Sequence, residues 1–398
     1  MNPLVTPEEA DRLISTALPV TCAVNVPVET SAGMILREPI IADRPQPPYR
    51  RATMDGIAFQ SKPEISSWII AGLHAAGDPP PRLLAIGEAW EIMTGAQVPD
   101  DCDTVAPYEN VTISDRIAVL SEKSAPDRFI HAMGADAPAG DALVPAGAMF
   151  GPLEIAIAVS TGHLTPLVSS RPKISILTTG DEAISADASP LPWQIRRSNG
   201  PMLAALLRSD GCELRTHEHV VDDPDALDRA FESALNGSDV VLVCGGISKG
   251  KRDFTRTVIS SRCGEPAFHG VSQRPGKPLA FWNGAPPVFA LPGNPISVLA
   301  TYVRFVRPAL LRMQGAAPAP PFAVRLAEPF EPLAHLSWHV PARIDGDLAR
   351  CLLPLNSGDF ITSAGATHLL EFPPGNETLA PSAIVAARPL FSFSSPRI

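Results

Sequence analysis

Several short strings combine hydroxyls, carboxylates, glycines and cations in ways that suit anion and metal chemistry. Thr178-Thr179-Gly180-Asp181-Glu182 closes the apolar run ISILTT and places two hydroxyls and two carboxylates at one strand end. One of those acids caps the following turn, or a carboxylate there serves a metal ion or a proton transfer; the string admits both. Gly245-Gly246-Ile247-Ser248-Lys249-Gly250 follows another apolar run, DVVLVC, and leads to Asp253. Glycines let backbone N–H groups approach an anion closely, and a helix beginning near Asp253 directs its positive end at the same place. The string lacks the GK[ST] ending of a P-loop. Between Cys244 and Pro278 the cations Lys249, Lys251, Arg252, Arg256, Arg262, Arg274 and Lys277 face only Asp253 and Glu265, in a chain of net charge −10. Arg274-Pro275-Gly276-Lys277-Pro278 holds two cations close together on a stiff backbone, and Pro292-Gly293-Asn294-Pro295-Ile296-Ser297 is a rigid turn into a helix N-terminus. Both favour a bound oxyanion or phosphate. His217 and His219, at i, i+2 in ELRTHEHVV, fall on one face of a strand without further ligands nearby and read as a surface strand.

These strings need elements to aim them. From Lys173 to Met313 strand and helix patterns alternate: strands over 174–179, 213–221, 239–246 and 286–293, helices over 200–211, 223–235 and 254–264, and a long helix over 295–313. Alternation of this kind specifies a parallel sheet between two helical layers, with ligands beyond the carboxyl ends of the strands. Proline clusters mark the joints and divide the chain into 1–45 plus 147–170, an inserted β-rich unit 46–146, the α/β unit 171–315 and a β unit 320–398. The expected fold class is α/β multidomain, with a central three-layer α/β/α parallel-sheet domain, N-terminal mixed and β modules, and a small C-terminal β domain.

A chain of 398 residues is longer than one core normally serves. With 45% hydrophobic and 19% charged residues it can bury those cores, and 44 prolines and 28 glycines imply many short strands and turns rather than a helical bundle. The negative net charge argues against a general nucleic-acid binder, so small molecules are the expected ligands. Six cysteines without a CxxC pair indicate reduced thiols rather than a zinc knuckle or disulfide framework. No apolar run approaches the ~20 residues of a membrane helix, and MNPLVTPEEADRLI lacks the pattern of a signal peptide, so a cytoplasmic protein with no membrane partner is expected.

In this order and spacing TTGDE, RSNGPMLAALL, Asp222-Asp223-Pro224, GGISKGKRDFT, RPGKP and LPGNPIS resemble the molybdopterin molybdenumtransferase family, the MoeA-type proteins and the gephyrin E domain. ATMDGIAF (52–59), MTGAQVP (93–99) and MGADAPAGDALVPAG (133–147) extend the resemblance, which covers about residues 5 to 315 well. It implies molybdenum cofactor biosynthesis: molybdate is inserted into adenylylated molybdopterin, AMP is released, and Mg²⁺ assists. It further implies that Glu182, Asp223 and Asp253 are catalytic carboxylates, Glu182 and Asp253 holding the Mg²⁺. Thr179, Gly180, Ser198, Asn199, Gly245, Gly246, Ser248, Gly250, Pro292, Gly293 and Asn294 would bind the pterin substrate. Arg274, Lys277, Pro278, Ser297, Arg343 and Ser357 would surround molybdate. Asp55, Thr94 and Asp136 would complete the site across a homodimer interface, and a molybdopterin adenylyltransferase and acceptor molybdoenzymes would be the protein partners.

The chain also departs from the family pattern. Gly270 stands where many members carry lysine, Arg274 replaces the first lysine of KPGKP, Arg197 takes the place of the acid in RDSN, and Ala135 that of the acid in GED. The family's Phe-x-Arg falls on Pro341, with Arg343 two residues on. These departures leave open a diverged or non-catalytic pterin-binding paralogue or scaffold on the same fold. An adenylyltransferase would share TTGDE and GGxSxG but not the N-terminal MDG and TGA module.

Overall fold

The computed structural model of the chain describes residues 4–247 and 254–391, so Ser248, Gly250 and Asp253 lie outside the described residues. At the centre is a six-stranded sheet in the order Glu213–Val220, Lys173–Thr179, Val240–Cys244, Val288–Leu291, Ala280–Trp282, Phe268–His269. The first four strands are parallel, as the alternation predicts, and the last two are antiparallel. The difference follows from chain length: residues 283–287 between two of these strands are too few for a crossover, which needs about a dozen. Val240–Cys244 is buried along its whole length and has an apolar cluster on each face, built by Leu203, Leu207 and Tyr302 on one side and Leu227, Phe231 and Ile259 on the other.

The long helix expected over 295–313 is observed, with a π-helical segment at Tyr302–Val306 between α-helical Pro295–Thr301 and Arg307–Met313. Pro308 accounts for it, because proline offers no N–H and its ring crowds the carbonyl four residues back, at Arg304; a wider turn relieves both. The helix Pro7–Ser15, capped by the Thr6 side chain on Glu9 N, sends Ala10 and Ile14 into the central core and Asp11 onto Arg304 at 2.6 Å.

Around this centre Val28, Leu36, Ile40, Val144, Phe150 and Val168 form a separate core from two distant stretches of chain. Between them in sequence a six-stranded sheet carries an apolar cluster on each face, one around Val98 and Val105, the other around Phe59 and Trp68. At the C-terminal end Ser337–Asp345 pairs with both Leu348–Cys351 and His368–Phe372, which closes five strands into a small barrel and leaves no free edge. Among the contacts that dock the barrel, Gln273–Arg274 runs parallel to Ser337–Trp338, and the buried Arg307 donates to the carbonyls of Pro389 and Leu390, each at 2.6 Å. No helix among the described residues is long and apolar enough to cross a membrane.

Candidate functional site

The carboxyl ends of the parallel strands open into a cleft of about 870 Å³. Thr179, Gly180, Glu182, Ser198, Asn199, Gly245, Gly246, Gly293 and Asn294 all line it. Gly245 and Gly246 have φ of +104° and +58°, and a Cβ on Gly245 would lie 2.8 Å from Thr179 Oγ1, so the two strand ends meet only because these residues lack side chains. Two polar atoms on residues of the cleft wall are buried without a partner among the described residues, Thr179 Oγ1 and Asn199 Oδ1, while Asn199 Nδ2 donates to Gly293 O at 2.5 Å. Buried polar groups normally find partners, so these two atoms single out this part of the wall as a candidate ligand contact. Pro292, expected at the same rim, is buried behind it and accepts from Cys244 Sγ.

Charges are distributed unevenly across the cleft, with Glu182 and Asp222 acidic and Arg196 and Arg197 basic. Asp223 is placed differently from the expectation of a catalytic carboxylate. Its side chain caps the helix Pro224–Leu235 by accepting from Ala226 N at 2.7 Å, and of the two acids Asp222 lines the main cleft while Asp223 borders a small adjoining pocket with Thr179 and Gly246. Asp181 is likewise held in the turn, accepting from Asp222 N at 3.0 Å. His219 is the residue that the sequence reading passed over. It lines the cleft half-buried, with Thr178 Oγ1 2.9 Å from its Nδ1, and burial followed by the Arg197 charge holds it below the ordinary histidine range. The signal was available, since His219 also lies at the carboxyl end of a parallel strand. Arg197, read as a departure, is anchored by its Nε on Ala183 O at 3.0 Å and presents a cation to the cleft.

Beside the cleft is a smaller pocket lined by Arg274, Pro275, Ile296, Trp338, His339, Pro341, Asn356 and Ser357. The Arg274 guanidinium lies over the Trp338 ring, 5.1 Å from its centroid, and Asn294 Nδ2 donates to Ser357 Oγ at 2.6 Å. The barrel loop therefore joins the two spaces: Ser357 faces the pocket, and Gly358 and Phe360 face the cleft. Lys277 is exposed and does not line the pocket; neither do Pro278 and the buried Ser297. Arg343 is not there either. It is exposed and paired across the strands with Arg350, and Pro341 lies in the wall instead.

Asp55 and Thr94 meet in the inserted β module, where Asp55 Oδ1 accepts from Thr94 N at 2.6 Å and from Thr94 Oγ1 at 2.7 Å. Asp136 lies 2.9 Å from His131 Nε2 and 4.0 Å from Arg51. None of the three lines the cleft of its own chain. Gly270, the lysine-to-glycine departure, has φ of +103°, and a Cβ there would lie 2.6 Å from Leu4 Cδ2. Its carbonyl accepts from Val5 N at 3.1 Å. The N-terminal strand end thus covers this position, and the backbone favours glycine over any side chain.

Comparison with known proteins agrees with the geometry. Residues 5–162 match the family described as MoeA N-terminal region (domain I and II), and residues 175–312 match the probable molybdopterin binding domain. A molybdopterin molybdenumtransferase of Synechocystis is 32% identical over 87% of this chain and 90% of its own length, and one of Haemophilus influenzae is 31% identical over 72% of each. A molybdopterin biosynthesis MoeA protein from Pyrococcus horikosii, known as a crystal structure, superposes with a TM-score of 0.80 at 28% identity, covering 98% of this chain and 99% of that one. On these matches the chain belongs to the molybdopterin molybdenumtransferase family.

Proposed function

We propose that this protein inserts molybdate into adenylylated molybdopterin and releases AMP, completing the molybdenum cofactor. The observation that carries the reading is the pair of orphaned polar atoms, Thr179 Oγ1 and Asn199 Oδ1, in a glycine-lined cleft joined through Asn294 and Ser357 to a pocket holding Arg274. The cleft has room for an extended polyanion, and the pocket beside it carries the cation and the hydroxyl that suit a small oxyanion. Gly245 and Gly246 bring backbone to the phosphates, Arg197 offers them a cation, and Arg274 with Ser357 orients the oxyanion beside them.

Mg²⁺ fits the residues present. Among the described residues no group of three or more His, Cys, Asp and Glu side chains is gathered, yet Mg²⁺ keeps several waters and takes one or two carboxylates plus substrate phosphates. Glu182 would hold it, with Asp222 near by in the cleft and Asp253 as the second expected ligand. When bound it would neutralise charge developing on the phosphates.

Asp55, Thr94 and Asp136 are assigned to the cleft of a second copy of the chain, because Asp55 is exposed and none of the three faces its own cleft. The active form is then a cytoplasmic homodimer, supplied by a molybdopterin adenylyltransferase and emptied by acceptor molybdoenzymes. The four-unit division of the chain, with boundaries near 46, 147, 171 and 320, belongs to the same reading. Incubating the purified protein with adenylylated molybdopterin, Mg²⁺ and molybdate should release AMP and yield cofactor that activates an apo-molybdoenzyme. EDTA should stop both. Absence of AMP would refute the transferase and favour a non-catalytic pterin-binding role.

A further inference from the structure

The barrel strand Ser337–Asp345 carries a histidine whose surroundings do not account for it. His339 is 2% exposed, and neither Nδ1 nor Nε2 has a hydrogen-bond partner among the described residues. A buried ring nitrogen without a partner is a standing cost, normally removed by evolution or met by a ligand. The nearest acceptor by register is Glu371, directly opposite on the neighbouring strand, but Glu371 is committed to Arg304 at 3.1 Å and Arg388 at 2.5 Å.

His339 lines two spaces. On one side is a cavity of about 280 Å³ lined by Glu8, Ser272, Arg304, Ser337 and Glu371; on the other is the pocket of Arg274 and Ser357. The first is bordered by Glu371, already paired with Arg304 and Arg388, and by Glu8. The second has a guanidinium and a hydroxyl in its wall and no carboxylate, which suits an anion. In that wall Pro341 offers no donor, and Arg343, two residues further along the same strand face, is exposed outside it. A tetrahedral oxyanion has four oxygens to satisfy, more than the Arg274 guanidinium, the Ser357 hydroxyl and the Asn356 amide each meet alone, while a histidine in the same wall keeps nitrogens without an acceptor among the described residues.

We infer that His339 contacts the oxyanion directly: one of its ring N–H groups donates to a tetrahedral oxyanion seated against Arg274 and Ser357, which makes it a specificity-determining residue of this pocket. The inference rests on the molybdate reading of the pocket. His339 acts as a neutral donor. Burial pushes its pKa down to about 4, against the opposing pull of Glu371, with Arg304 and Arg388 lowering it further and Glu8 raising it. The pocket thus binds its anion with one full cation and directional neutral donors, so shape and hydrogen-bond geometry weigh more than charge.

Equilibrium dialysis of molybdate against the purified full-length protein, without pterin, tests this at neutral pH. His339→Phe keeps the volume and loses the donor, and should weaken binding by about tenfold or more. His339→Gln keeps an N–H and should stay within about threefold of the unsubstituted protein. In the unsubstituted protein the ring nitrogen resonances of His339 should shift on adding molybdate, a readout that needs no variant to fold. Unchanged molybdate affinity in His339→Phe, an unmoved ring resonance, or no molybdate binding by the unsubstituted protein would each overturn the inference. Molybdate binding that depends on His339 in a protein that releases no AMP would instead overturn the transferase reading and leave this one standing.

Discussion

Thr94 gives both its backbone N–H and its hydroxyl to a single oxygen of Asp55, at 2.6 and 2.7 Å. The hydroxyl contact first, and the backbone contact second, hold the Asp55 carboxyl below the usual carboxylate range. Both bonds end on Oδ1, so among the described residues Oδ2 is left for something outside the module. Asp55→Asn should keep the fold, because the bonds can be retained, and should slow AMP release by more than about tenfold. Steady-state AMP formation measures it, and unchanged turnover would remove Asp55 from the reaction.

The two cations of the RPGKP loop should differ in weight. Arg274 lines the oxyanion pocket over Trp338, whereas Lys277 is exposed outside it. Arg274→Ala should raise the molybdate concentration for half-maximal cofactor formation by about tenfold or more, equivalent to roughly 1.4 kcal/mol, since it removes a charge-assisted bond. Lys277→Ala acts only through solvent-screened charge and should shift it by a few-fold, about 1 kcal/mol or less. Titrating molybdate against both variants checks the order, and a larger effect for Lys277 would relocate the oxyanion.

Restoring the family's lysine at 270 should harm the protein. Gly270→Lys forces a side chain into a φ of +103° and against Leu4, and should cost about 1–3 kcal/mol of stability without improving molybdate binding. Denaturant unfolding of the variant gives the value. A neutral substitution would mean that the first residues of the described chain do not pack over this turn as they do here.

Acid should destabilise the fold earlier than carboxylate titration alone would. His339, with its pKa near 4, is neutral when folded and binds a proton near the ordinary 6.5 when unfolded. The unfolded state then takes up more protons as the pH falls, so stability is full above about pH 6.5 and declines toward pH 4, by up to about 3 kcal/mol from this residue. Glu371 acts in the same direction at lower pH: burial raises its pKa, but Arg304 and Arg388 more than offset this and leave it lowered, so its contribution is present above the unfolded value and lost as pH falls. Melting temperature against pH should fall in this window, and His339→Phe should flatten the upper part of it.

What the sequence determined by itself is what depends on neighbours along the chain. The alternation from Lys173 to Met313 follows from apolar periodicity, and the helix after Asp223 from a capping residue followed by proline. The cleft strings were legible for the same reason, because each is a turn directly after a strand, where a parallel sheet must present its ligand face. Tertiary structure decided the rest. Ser357 meets Asn294 across 63 residues, Leu4 settles why position 270 is glycine, and the docking of the 337–339 end of the barrel strand against the α/β unit buries His339 while Arg343, four residues on along the same strand face, stays exposed. Strand register moves a whole set of side chains from one face to the other, and no local pattern of residues 337–345 specifies which strand closes the barrel. Asp223 shows the limit within a single dipeptide: the resemblance pointed to Asp223 as the catalytic acid, and the helix start took it for its cap while its neighbour Asp222 lines the cleft.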